Sequence, residues 1–179
     1  PGAYRTFGQA TWFSYAPTTV AAGSEQRYVP QLAWYAGPVG VLAEYVKTSQ
    51  RVDGATSSAR LSNHAWQAGL VVVLTGERAS YATLGPTRTF DPDACSWGAL
   101  ELTGRYGELS IDPATFGGGY ADATKSPSKS RELTAGFNWY LARAVRLSSD
   151  FARTTFVSGA ASGDRRAETL VLARMQVAY

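Results

Sequence analysis

Apolar and polar residues alternate with a period of two over long stretches of this chain. The last stretch shows it most fully. Counting back in twos from Tyr179 gives Val177, Met175, Ala173, Val171 and Thr169; the other register gives Ala178, Gln176, Arg174, Leu172, Leu170 and Glu168. Successive side chains of a strand point to opposite faces, so one face is largely apolar and the other carries Gln, Arg and Glu. The same pattern predicts eight strands, at 4–16, 25–36, 39–51, 59–76, 97–111, 130–142, 144–156 and 166–179. Most exceed the about 5–6 residues of an average soluble strand. They reach the about 9–11 residues that a tilted strand needs to cross a bilayer. A soluble β-sandwich with wet outer faces would carry shorter strands, so the lengths favour a membrane barrel.

The connections sharpen this expectation. Ala36-Gly37-Pro38 and Ala142-Arg143-Ala144 read as tight turns, while 17–24, 52–58, 112–129 and 157–165 read as longer loops rich in Ser, Thr, Gly and Ala. Short turns on one rim and long loops on the other are the habit of outer-membrane barrels, with the short side periplasmic. Segment 77–96 breaks the rule: it falls on the short-turn side yet is long.

Charge supports the assignment of faces. In the fourth strand Trp66, Ala68, Leu70, Val72 and Leu74 share one side, and Gln67, Gly69, Val71, Val73 and Thr75 the other. In the fifth, Leu100, Leu102 and Tyr106 oppose Glu101, Thr103 and Arg105. In the sixth, Leu133, Ala135, Phe137, Trp139 and Leu141 oppose Thr134, Gly136, Asn138 and Tyr140. In the seventh, Val145, Leu147 and Phe151 oppose Arg146, Ser148 and Asp150. An arginine facing lipid at mid-depth costs about 2–4 kcal/mol, which turns the mid-strand charges inward. Arg60 and Arg153 share the lipid register but sit near outer strand ends, where that cost fades. The expected pore-lining set is Arg27, Glu44, Glu101, Arg105, Arg146, Asp150 and Arg174. A row of water-facing arginines raises the local concentration of anions; the bland alternative is that these charges pair across strands and hold the wall. Tyr15, Trp34, Trp66, Tyr106, Trp139 and Tyr179 are candidates for the aromatic girdles of a bilayer interface.

Composition excludes more than it adds. The net charge of +3 is too small and scattered for a nucleic-acid partner. A single cysteine, Cys95, leaves no internal disulfide and no zinc cluster, and no cofactor is expected. Ser/His/Asp chemistry would have to run through the lone His64, with Ser62 and Asp53 as neighbours in sequence, and an outer-membrane hydrolase rests on that alone. Gly117-Gly118-Gly119 lacks the preceding strand and following helix of a phosphate loop. Pro1-Gly2-Ala3-Tyr4 has neither the basic region nor the apolar run of a leader, and no stretch approaches the roughly 18 apolar residues of a membrane helix. Both features suit a barrel protein whose N-terminal part lies outside this chain.

A set of ordered motifs resembles a known family. Ala65-Trp66-Gln67 and Leu74-Thr75-Gly76-Glu77 are followed by Pro86, by Phe90-Asp91-Pro92, and by Trp97-Gly98-Ala99-Leu100-Glu101-Leu102 with Arg105-Tyr106. Gly136-Phe137-Asn138-Trp139-Tyr140-Leu141 and the terminal Arg174-Met175-Gln176-Val177-Ala178-Tyr179 complete the series. From about Gly8-Gln9 to the end, the chain resembles the C-terminal half of the phosphate-selective porins O and P. The resemblance implies a larger outer-membrane barrel of a Gram-negative bacterium, usually trimeric, that passes small anions such as phosphate by passive diffusion. It also implies that the constricting loop and most of the anion-selecting basic residues belong to N-terminal strands absent here. Tyr179 stands where the family usually ends in Phe.

The sequence therefore predicts an all-β fold of one domain over 1–179, an antiparallel transmembrane β-barrel segment of about eight strands. Outer-membrane lipid, small anions and like copies in a homotrimer are the expected partners. The rival is a small closed eight-stranded barrel acting as an anchor or adhesin, whose interior would be filled by side chains. The pairing of the last strand separates the two readings.

Overall fold

The structure is a computed structural model that describes residues 1–178. In chain order its strands are β1 (Tyr4–Arg5), β2 (Thr11–Phe13), β3 (Val20–Tyr28), β4 (Gln31–Ala36), β5 (Val39–Asp53), β6 (Ser58–Val73), β7 (Phe90–Asp91), β8 (Ser96–Trp97) and β9 (Ala99–Ser110). After the one-turn helix α1 (Ala114–Gly117) come β10 (Lys129–Ala142), β11 (Val145–Val157) and β12 (Glu168–Val177). One eight-stranded antiparallel sheet dominates, in the order β12-β11-β10-β9-β6-β5-β3, with β4 also pairing with β5. All-β antiparallel architecture is thus what the alternation predicted. No helix among the described residues is long and apolar enough to cross a membrane.

Two expectations are corrected. Residues 4–16 are not a sheet strand. They form the small β1–β2 hairpin, turned at Gln9, whose backbone is left-handed at φ 66°, and they fold against the main sheet. Second, the predicted strand 25–36 is two strands: β3 begins earlier, inside the expected loop 17–24, and the run breaks at Val29-Pro30, where proline offers no N–H to the ladder. Both halves lie along the 15-residue β5, and the Pro30 carbonyl still accepts from the Tyr45 amide at 3.0 Å.

The small closed barrel is also corrected. The sheet path ends at β12 on one side and at β3 and β4 on the other, and these edges pair with no further strand among the described residues. The loop pattern holds at most joins: β4 turns into β5 at Gly37-Pro38, and β10 into β11 at Arg143-Ala144, both on one rim. On the opposite rim β9 leads to β10 through 111–128 and β11 to β12 through 158–167, whereas β5 and β6 are joined tightly through 54–57.

The two faces differ as the alternation requires. On one, Leu70, Leu102, Leu133, Phe137, Phe151 and Val171 lie exposed, Leu102 at 44% and Leu133 at 53%. Among the described residues, Leu102 and Leu133 in the middle of this band stay uncovered. The other face is covered by loops at both ends. Toward the long-loop rim, Trp12 and Phe13 pack with Ile111, Ala121 and Phe156, beside Val52, Leu61 and Tyr120. Toward the short-turn rim, Val73, Ala99 and Tyr140 pack with Ala79 and Leu84 of the 77–96 segment. That segment then leaves this end of the sheet, and Phe90 and Trp97 meet Trp139 on the apolar side, where the Trp139 indole donates to the Trp97 carbonyl at 2.7 Å.

Candidate functional site

Between the two loop-covered ends, the middle of the covered face is polar. Its side chains are brought together by cross-strand register. Glu44 lies opposite Gln31 and Gln67, Arg105 opposite Gly69 and Thr134, and Glu132 opposite Thr154. A continuous ladder results, crossing six strands. Gln31 donates to Glu44 at 2.9 Å and Gln67 to the other Glu44 oxygen at 2.7 Å. Arg105 donates to Gln67 at 3.4 Å and to Glu132 at 2.6 Å, and Thr154 closes the row on Glu132 at 3.2 Å. Arg105 also lies over the Phe7 ring, 5.7 Å from its centroid. A cavity of about 450 Å³ opens onto this ladder, lined by Gln31, Glu44, Gln67 and Arg105, with Tyr81 of the 77–96 segment in its wall.

The other expected residues lie on the same face. Glu101 accepts from Asn138 at 2.7 Å, and Asn138 accepts in turn from Ser148 at 2.6 Å. Arg174 sits directly opposite Ser148 on the edge strand. Arg146 donates to Gln176 at 2.8 Å and lies over the Tyr140 ring. Asp150 leans over Gly136, whose missing Cβ leaves the carboxylate its room. Arg27 stands apart on β3, paired with Glu25 at 3.0 Å and well exposed. Charge on this face is therefore mixed. Arg105 is neutralised by Glu132, whereas Arg146 and Arg174 have no carboxylate within 4.0 Å among the described residues.

Sequence reasoning missed Glu132, the partner that decides the state of Arg105. Its signal was there: extending the Thr134, Gly136, Asn138 register by one more step reaches it. Of the expected girdle residues, Trp34 is exposed on the apolar side, Trp66 and Tyr106 face each other there at 5.5 Å, and Trp139 joins the Phe90 and Trp97 cluster. Tyr15 is corrected: it packs edge-on to Phe13 and accepts from Asn63 at 3.0 Å, on the covered face. Burial pushes its phenol up against the opposing pull of that hydrogen bond. Tyr179 lies outside the described residues. The hydrogen bonds a hydrolytic triad would use are made elsewhere, Ser62 donating to Ser49 and Asp53 accepting from Ser58. Cys95 is exposed, and Gly117-Gly118-Gly119 closes the one-turn helix.

In the loops, two carboxylates are held ionised. Burial works to raise Glu77, but donation from the Thr75 hydroxyl and the Thr87 amide outweighs it and leaves the group below its ordinary value. Thr124 holds Asp122 low through its hydroxyl and its amide. Whatever order these contacts lend their loops is present at neutral pH and is lost as the pH falls through the lowered values.

Residues 9–179 match the family model for phosphate-selective porin O and P. A curated relative, Porin O of Pseudomonas aeruginosa, is 27% identical over 124 residues, a match covering 68% of this chain and 28% of that protein. The alignment thus spans little more than a quarter of the relative's length.

Proposed function

Since the chain belongs to the phosphate-selective porin O and P family, we propose that its sheet is part of the wall of a larger outer-membrane barrel in a Gram-negative bacterium. The apolar face meets lipid, and the ladder-bearing face lines a watery passage through which small anions, phosphate among them, diffuse passively. Further strands pair with β12 and with β3 and β4, because open backbone edges are not tolerated in hydrocarbon. The short-turn rim is periplasmic and the long loops are external. The family also suggests assembly with like copies.

The observation that carries this reading is the segregation of the two faces: a hydrogen-bonded polar ladder across six strands on one, an exposed apolar band on the other. Soluble sheets bury their apolar face; a membrane wall inverts that order. Passage needs no covalent chemistry and no cofactor. This chain's own contribution to anion preference comes from Arg146 and Arg174, the guanidinium groups of the expected set that no carboxylate neutralises among the described residues.

Charge reversal tests it. In the full-length protein, Arg174→Glu is expected to lower the anion-to-cation permeability ratio measured by reversal potentials in planar bilayers. The effect should shrink as salt rises, since exposed charges are screened over about 10 Å at roughly 0.1 M. An unchanged reversal potential with normal folding would show that these charges only hold the wall.

A further inference from the structure

Beyond the passage, the apolar face carries an unexplained belt of cations toward the long-loop rim. We propose that this belt binds the phosphate groups of lipid headgroups in the outer leaflet. The inference rests on the orientation assigned above, with the long loops outside.

The register locates the belt. The upper border of the apolar band is formed by Tyr45, Trp66, Tyr106, Leu133 and Phe151. One alternation step beyond each of them stand Lys47, His64, Glu108, Arg131 and Arg153. Tyr45 pairs with Trp66, but Trp66 pairs with Glu108 and Leu133 with Arg153. The border therefore slides toward the short-turn rim from β5 to β11. Barrel strands tilt by about 35–45°, so a line of constant depth crosses them on such a diagonal. Lys47, Arg131 and Arg153 then sit at one level, where hydrocarbon gives way to headgroups, and Arg51 and Arg60 stand two alternation steps further out, toward the long loops.

Their charge is only partly answered within the chain. Glu108 holds Lys129 at 2.7 Å and Arg131 at 2.8 Å. Arg51 comes no nearer than 4.0 Å to Asp53. Lys47, Arg60 and Arg153 are exposed and have no carboxylate within 4.0 Å among the described residues. Arg51 and Arg60 stand directly opposite each other on β5 and β6, an arrangement of like charges that repels unless an anion lies between them. A phosphate-bearing headgroup in the layer between Lys47 and Arg60 supplies the anion, and its acyl chains lie along the band below.

The test uses the full-length protein in phosphatidylcholine nanodiscs and measures retention of diphosphorylated lipid A by native mass spectrometry. The unsubstituted protein should retain it and should retain the dephosphorylated lipid far less. The variant Lys47→Gln, Arg60→Gln, Arg153→Gln should weaken retention by at least roughly tenfold, each cation near an anionic surface contributing about fivefold. Its reversal potential should stay unchanged, because none of the three faces the passage. Equal retention of the two lipids by the unsubstituted protein overturns the proposal even if the triple variant fails to fold. So does displacement of lipid A by inorganic phosphate, which would mark a free-anion site, or a loss of oligomer with retention intact, which would mark a contact between copies. A null result here beside a normal Arg174→Glu effect removes the lipid site and leaves the passage standing.

Discussion

Replacing Leu102 by arginine is expected to destabilise the assembled full-length protein by about 2–4 kcal/mol, whereas Thr103→Arg is expected to cost little. The two residues are neighbours in β9 and differ only in the face they occupy. Leu102 is exposed in the middle of the apolar band, flanked across the ladder by Val72 and Phe137. A guanidinium there has to sit in hydrocarbon. Thr103 points to the polar face, between Val71 and Gly136, one step from both Glu101 and Arg105, where an added arginine meets water and carboxylates. Urea unfolding in vesicles reads the difference. Equal losses for the two variants would refute the register given to β9.

The second large effect is expected at Gly98, at the junction of β8 and β9. Its backbone is left-handed at φ +70°, and a Cβ there would run into the Tyr140 carbonyl. Alanine combines a conformational penalty of about 1–2 kcal/mol with an overpacking cost of about 1–3 kcal/mol. The joint that turns the 77–96 segment into β9 is then displaced, and with it the contact between Trp97 and Trp139. Gly98→Ala should lower the melting temperature and shift tryptophan emission. Gly104→Ala is the control, since nothing lies within 4 Å of its Cβ position. Equal melting temperatures for the two variants would show that the joint is not constrained as described.

Much of this architecture was legible in the sequence, for a definite reason. From β5 onward the mid-strand charges of the long strands keep a two-residue alternation, even where apolar runs such as Leu70-Val71-Val72-Val73 and Leu170-Val171-Leu172 blur it, because a charge placed on the wrong face costs too much to be common. The N-terminal hairpin was not legible in the same way. Trp12 and Phe13 are consecutive apolar residues and both are buried, which a strand with one wet face would not allow. Gly8-Gln9 marked the turn, but its partner surface on Ile111 and Phe156 lies far away in sequence. Pro30 carried the signal for the break between β3 and β4, but the apolar pattern reads across it as one strand, 25–36. The 77–96 segment was recognised as anomalous, yet its path depends on tertiary contacts that no local pattern encodes: Ala79 and Leu84 bury beside Tyr140, and Phe90 meets Trp139 edge-on outside, with Trp97 tilted against it. At the candidate site, alternation placed the residues on one face. Only the structure revealed which were neutralised, separating Arg105, bound to Glu132, from Arg146 and Arg174.

The central claim is that water lies against one face of this sheet and lipid against the other. A cysteine scan along β10, from Leu133 to Tyr140, tests it most directly in the full-length protein reconstituted in vesicles. A membrane-impermeant aqueous thiol reagent should modify cysteines at Thr134 and Asn138, while a lipid-soluble quencher should reach probes at Leu133, Ala135 and Phe137. Reactivity that alternates with period two in this phase is the predicted result. Uniform aqueous reactivity along the strand, or alternation in the opposite phase, would contradict the account.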